Sequence, residues 1–265
     1  MRRSNGYLRW GLVLVTLLGA LILLGYFWTP YDPQAMSGSE KFLPPSPAHP
    51  MGTDNFGRDV LSRVLKGAGS TVWVALGTVA IGAGVGTLVG AVTGYFGGWV
   101  DALLMRFNDA FTAFPSILVA LVAVAVLGQG RSHVILALGI VFIPSYARIV
   151  RGEFARCRAM PYAVNARLMG ASHGRILFAH LLPNVMPVLL STLAIGFNNA
   201  VLAEASLSFL GIGVEPTKAS LGYMLSEAQS YLVKAPWYAL SVGLSIVLLI
   251  LSFSLLSEGL QRRES

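Results

Sequence analysis

Charge is scarce in this sequence of 265 residues. Only 12% are Asp, Glu, Lys or Arg, against roughly 25% in soluble domains. With 55% hydrophobic residues and a mean hydropathy of +0.67, that shortage excludes an ordinary soluble globule and predicts an all-α polytopic membrane protein. Cysteine is nearly absent: Cys157 stands alone, which excludes an intrachain disulfide and any Cys-based metal cluster. No G-x-x-x-x-G-K-[ST] loop occurs, so any ATP must be handled by a partner. Gly82-Ala83-Gly84-Val85-Gly86 lacks the strand–turn–helix setting of a nucleotide loop. No Ser/His/Asp or His/Glu hydrolase arrangement is present. His49, Asp54 and Asp59 read as caps and surface charges rather than a metal site. An enzyme is therefore not expected, nor a cofactor. Acids are few, 12 against 19 Lys and Arg, but the bases are not interleaved with aromatics. They read as topology signals beside membrane spans, not as a nucleic-acid strip.

Six apolar segments are there instead. The first, Trp10 to Trp28, is long enough to span a bilayer and lacks a small-x-small cleavage site, so it is expected to stay as an uncleaved span. Arg2, Arg3 and Arg9 before it place the N-terminus in the cytoplasm. Residues 29–66 then lie outside. Their prolines demand extended chain, and Val60, Leu61, Val64 and Leu65 predict a short amphipathic helix along the membrane surface. A second span runs from about Thr71 to Gly94, with Gly82, Gly86, Gly90 and Gly94 forming a small-residue packing stripe. A third ends near Gly128, with Asp109 paired to Arg106 one turn away. A short fourth, about Ser132 to Arg148, is interrupted by Pro144. The fifth, Pro183 to about Gly213, carries Asn198, Asn199 and Glu204. Polar groups at membrane depth are by default functional candidates, so these three are candidates for a translocation path or a contact with a partner permease. The alternative is local hydrogen bonding, above all for Glu204 near the outer interface. The sixth is Pro236 to Ser257. Both termini then fall on the cytoplasmic side, where most Lys and Arg lie, although Arg58, Arg63 and Lys66 run against that bias. The expected division is 1–66, a helix plus an extracytoplasmic segment, and 67–265, a five-helix domain carrying a cytoplasmic loop at 151–182.

That loop belongs to the most distinctive stretch, Arg148 to Asn184. Arg148, Arg151, Arg156, Arg158, Arg167 and Arg175 face one acid, Glu153. Pro161 suits the first position of a helix, Gly170 the left-handed residue that ends it, and Ser172 the cap of a second helix running towards Pro183. Tyr162, Ala166 and Met169 then share one apolar face of the first helix. A capped helix between two spans reads as a surface that presses on another protein; an ordinary basic cytoplasmic loop is the alternative that spacing leaves open.

Four blocks in order, Met51 to Arg63, Gly94 to Asp101, Tyr162 to Asn184 and Ala203 to Gly213, resemble the membrane subunits of binding-protein-dependent ABC importers of the dipeptide/oligopeptide/nickel branch. The family's signature, Glu-Ala-Ala, three residues, Gly, nine residues, Ile-x-Leu-Pro, falls on Val164-Asn165-Ala166, Gly170 and His180-Leu181-Leu182-Pro183. Ala166, Gly170, Leu182 and Pro183 match; the Glu is replaced by Val164, so no role of its carboxylate carries over. The outer loop at Pro216 to Gly222 also departs from the family's pattern. The resemblance implies a six-span type I importer permease fold in a bacterial or archaeal plasma membrane. It implies a homologous second permease, two ATPase subunits, an extracytoplasmic solute-binding protein and surrounding lipid as partners. Tyr162, Ala166, Arg167, Met169, Gly170 and Pro183 are then expected to couple ATP hydrolysis to import of di- or oligopeptides. Nickel, a metal chelate or an opine is the alternative cargo. A channel, which would need a filter or a ring of charge, and a membrane enzyme are the remoter alternatives.

Overall fold

The computed structural model describes residues 4–215 and 218–264. Arg2, Arg3, Pro216 and Thr217 lie outside the described residues, as do the side chains of Arg262 and Arg263. The helices are α1 (Ser4–Phe27), α2 (Val60–Phe96), α3 (Gly98–Thr112), α4 (Ser116–Leu127), α5 (Arg131–Arg158), α6 (Pro161–Leu168), α7 (His173–Arg175), α8 (Leu182–Phe209), α9 (Leu221–Gln229) and α10 (Pro236–Glu264). One turn of 3-10 helix (Gly38–Glu40) and a π-helical stretch (Ile176–Leu181) complete the regular structure, and the described residues form no strand.

The glycine stripe of α2 determines how the bundle is wound. Gly77 lies against Ile135, Gly82 against Phe142, Gly86 against Tyr146, Gly90 against Val150 and Gly94 against Phe154. Both series rise together, so α2 and α5 run parallel, in the close approach that small residues permit. Parallel neighbours need a return crossing between them. The chain makes it with α3 and α4, two helices bent by 84° at a short break. Fifteen and twelve residues give about 22 and 18 Å, each too short alone for a core of about 30 Å. The third span is therefore not the single helix the sequence predicts. Phe114 and Pro115 break it, because the residue before a proline is pushed out of the α region. With this pair counted, the chain crosses six times.

Three further expectations are corrected. Residues 60–65 do not form a separate short helix. They are the first turns of α2, begun by Asp59, whose side chain accepts from Ser62 N, and Val60 and Val64 are buried. The helix continues without a break across residue 66. Pro144 does not interrupt the fourth span either. It sits inside the 28-residue α5, which runs on to Arg158. Asp109 pairs not with Arg106 but with Arg148, at 3.0 Å.

α1 and α10 close the bundle as antiparallel neighbours, with Gly11 against Leu256 and Gly259 against Leu8. α8 returns beside α5 and is pinned to α10 by Asn198 and Ser254 at 2.8 Å. The start of α1, the end of α10 and α6 consequently share one end of the molecule. At the opposite end the segment before α2 packs on α9 and α10 through a buried charge cluster. Asp54 accepts from Arg58 at 2.6 Å and also from Arg63. Glu227 receives Arg58 and Arg63, both at 3.0 Å, and the hydroxyl of Tyr238 at 3.0 Å. His49 sits 2.9 Å from Asp59. Asp54 and Asp59 are caps as expected, but they are buried rather than surface charges. Among the described residues no three His, Cys, Asp or Glu side chains converge as a metal site would require.

Candidate functional site

α6 is defined by its ends. Met160 precedes it in extended conformation (ψ 148°), as a residue before proline must be, and Pro161 occupies the first turn, where its missing N–H leaves nothing unpaired. At the other end Gly170 has φ +81°. Its N–H donates to Arg167 O at 3.1 Å and Ala171 N–H donates to Ala166 O at 3.0 Å, the paired bonds of a left-handed glycine stop. Ser172 then accepts from Arg175 N at 3.4 Å and caps α7. The second helix does not run on as regular α structure. Ile176–Leu181 widens into a π turn before α8 begins; such insertions gather at functional sites. Pro183 lies in the first turn of α8, away from α6.

The two faces of α6 have different partners. Ala163 and Ala166 point inward, against a cluster that includes Tyr95, Phe154, Cys157, Leu181 and Val185 from α2, α5, the π stretch and α8. The outward side is apolar but bare: Leu168 is 80% and Met169 88% exposed, with Tyr162 and Val164 partly so. The predicted face of Tyr162, Ala166 and Met169 is thus split: Ala166 packs inward, while Met169, the residue that ends the helix, stands out from the bundle. Burial beside Cys157 pushes the Tyr162 phenol up to about 12, so it remains a neutral hydrogen-bonding group.

Polar bonds lock this seat. Tyr95 Oη, at the end of α2, is 2.7 Å from His173 Nδ1, and Arg158 donates to Tyr95 O at 2.7 Å. Arg151 forks onto Asp101 of α3 at 2.5 and 2.6 Å, and Arg156 meets Glu153 at 2.7 Å. The arginines that in sequence confront one acid are mostly satisfied by α3 and by backbone. Arg167 and Arg175 remain exposed and make no ion pair among the described residues.

The three candidate path residues do not share a face. Asn199 is exposed on an open groove of about 300 Å³ between α4, α5 and α8, together with Ser116, Tyr146 and Thr192. Asn198 turns the other way, to Ser254. Glu204 is 0% exposed. It accepts from Ser208 at 2.7 Å, while its Oε2 has no hydrogen-bond partner. It is an interior group between α2, α8 and the start of α9. Thr192 and Tyr146 escaped sequence reading. Thr192 shares a helix face with Asn199 at a spacing of seven, a usable signal; nothing in sequence brings Tyr146 across from α5.

A family described as the binding-protein-dependent transport system inner membrane component matches residues 86–265. Among curated relatives, a putative peptide transport system permease protein of Brucella suis is 43% identical over 264 residues, covering 98% of this chain and 87% of its own length. The glutathione transport system permease protein GsiD of Pectobacterium atrosepticum is 38% identical, over 93% and 82%. The dipeptide transport system permease protein DppC of Haemophilus influenzae is 34% identical, over 95% and 87%. Among solved structures, an inward-facing MetNI methionine ABC transporter aligns with a TM-score of 0.59 at 19% identity, covering 78% of this chain and 96% of its own. That likeness supports the fold.

Proposed function

The chain belongs to the binding-protein-dependent transport system inner membrane components and is a permease subunit of an ABC importer of the peptide class; from that premise we propose that α6 receives the motion of partner ATPase subunits and passes it to the spans. The observation carrying this is the asymmetry of α6. Its inner face is fused to the ends of α2, α5 and α8, while Leu168 and Met169 face outward with nothing over them. A helix so seated moves the spans when it is pushed.

The cargo is proposed to be a di- or oligopeptide, since the relatives are named for peptide, dipeptide and glutathione transport. ATP is hydrolysed by two partner ATPases, a homologous permease completes the path, and a solute-binding protein delivers from the end opposite α6. The α6 end is cytoplasmic; the exposed Arg167 and Arg175 support that orientation through the positive-inside rule. The open groove bearing Asn199 is this subunit's wall of the path. Ala166, Gly170 and Pro183 shape the coupling element from within, and Tyr162, Arg167 and Met169 contact the ATPase.

The experiment is Leu168→Asp combined with Met169→Asp. An unpaired carboxylate buried at the contact costs about 3–5 kcal/mol, so ATPase subunits should no longer co-purify while the two permeases stay paired. Undiminished co-purification and uptake would rule α6 out as the contact.

A further inference from the structure

Two cavities at the end opposite α6 share a pair of cations. The first, about 270 Å³, is lined by Arg58, Arg63, Lys66, Arg131 and Lys218, with Asp32 the single acid. The second, about 730 Å³, is an apolar slot between α1 and the start of α2, lined by Ile22, Leu23, Phe27, Leu65, Val72 and Trp73, and it too reaches Lys66 and Arg131.

The cations of the first cavity are not equivalent. Arg58 and Arg63 are committed to Asp54 and Glu227, and Lys218 to Glu215 at 3.0 Å. Lys66 and Arg131 form no ion pair among the described residues. Lys66 donates to the Tyr26 carbonyl at 2.9 Å, which leaves two of its three protons free. Arg131 gives one nitrogen to Ser70 Oγ at 3.1 Å, and its Nε is buried with no partner. Glu204 is enclosed in the bundle and forms no ion pair with Arg131 among the described residues. The two cations without an ion-pair partner are the same two that stand where the polar cavity meets the apolar one.

A ligand matching both cavities has an anionic head and a hydrocarbon tail. Trp73 is 63% exposed at this level, and Tyr26 and Phe27 are exposed beside it, as aromatic side chains are at the headgroup level of a bilayer. We propose that Lys66 and Arg131 hold the phosphodiester of an anionic phospholipid in the leaflet opposite α6, with one acyl chain in the slot between α1 and α2. A bound lipid would fill the gap between α1 and the bundle and fix how α1 sits against the α2–α5 pair. This site is independent of the coupling role of α6 and of the cargo.

Trp73 is a built-in reporter. The assembled transporter would be placed in nanodiscs of phosphatidylcholine containing increasing fractions of brominated phosphatidylglycerol or brominated phosphatidylcholine. The signal is the quenching lost in Trp73→Phe. Phosphatidylglycerol should quench at a mole fraction lower by on the order of tenfold, from two basic side chains at a membrane surface. Lys66→Gln with Arg131→Gln should abolish that preference, and Lys66→Arg with Arg131→Lys should restore most of it. Millimolar inorganic phosphate should leave the quenching unchanged. Equal quenching by both lipids, or preference surviving the Gln pair, overturns the assignment. So does displacement by phosphate, which would make this a site for the free anion. Absence of Trp73 quenching by either lipid also overturns it, since a protein partner then covers the slot.

Discussion

The hydroxyl of Tyr146 fills the space where a side chain at Gly196 would begin: a Cβ there would stand 1.8 Å from Oη. The same tyrosine lies against Gly86, where a Cβ would come within 2.6 Å of the tyrosine's own. Tyr146 is thus the point at which α2, α5 and α8 meet, beside the groove that carries Asn199. Gly196→Ala should destabilise the assembled transporter by about 1–3 kcal/mol, the usual cost of overpacking. Tyr146→Phe removes the clashing oxygen, so the double variant should recover part of the loss, a coupling of about 0.5–3 kcal/mol. Thermal unfolding of the four proteins of this cycle, in detergent, measures it; strict additivity would show that the two residues do not compete for that space.

Not every glycine of α2 is there for packing, and the difference is measurable. A Cβ at Gly90 would meet Ala147 O at 2.6 Å and Arg151 N at 2.9 Å, backbone atoms that cannot rotate away. A Cβ at Gly84 would meet nothing within 4 Å. Gly84→Ala should therefore be neutral or gain up to about 1 kcal/mol from helix propensity. Gly90→Ala should force α5 outward and lower both stability and uptake. Equal tolerance of the two substitutions would contradict the parallel α2–α5 contact.

Much of this arrangement is legible in the sequence, and the rest fails for identifiable reasons. The period-four glycines announce a close helix contact, but periodicity does not name the partner, and α5 emerges only in three dimensions. The ends of α6 are local chemistry, Pro161 before and Gly170 after, and they are found where expected. Its faces are not, because the inward side is set by the ends of α2, α5 and α8 that cover Ala163 and Ala166, and an eight-residue pattern does not show where those neighbours lie. Arg106 and Asp109 are spaced as a helical pair within α3, yet Asp109 meets Arg148 of α5, a partner that no local spacing names. Asn198, Asn199 and Glu204 look alike in a hydropathy profile, but adjacent helical positions diverge by about 100° and reach a neighbouring helix, a groove and the interior. The cluster around Asp54 and Glu227 joins residues 169 positions apart, beyond any spacing rule.

That cluster supports a third prediction. Glu227 is the acid shared by Arg58, Arg63 and Tyr238, at the join between α9 and the segment preceding α2. Glu227→Gln keeps the shape and removes the charge, leaving two buried guanidiniums with Asp54 alone. Breaking a buried pair by removing one partner costs about 3–5 kcal/mol. The variant should insert with normal spans, yet lose stability and become open to protease at residues 29–59 from the side opposite α6. Tyr238→Phe, which deletes the hydroxyl's bond to Glu227 and the one it accepts from Arg63 at 3.1 Å, should cost about 1–3 kcal/mol. Protection of that segment in the Gln variant would mean the ion pairs are dispensable to its docking.

The last prediction tests orientation, and the structure decides how it must be done. Cys157 is the only thiol and would seem a ready label for the cytoplasmic side. It is 2% exposed, packed beneath α6 with Phe154 and Ala163. A maleimide should therefore fail to react with the folded native protein from either side, in intact cells and in inverted vesicles alike, and react only after denaturation. Met169→Cys in a Cys157→Ser background places a thiol at a position 88% exposed on the same end of the bundle. If α6 is cytoplasmic, an impermeant maleimide should spare this variant in intact cells and modify it in inverted vesicles prepared without the ATPase subunits. Co-expressing those subunits should protect it, because they cover the helix. Labelling in intact cells would reverse the orientation of all six crossings. Labelling in vesicles undiminished by the ATPase subunits would preserve the orientation and remove α6 from the contact, so the two conclusions stand or fall separately.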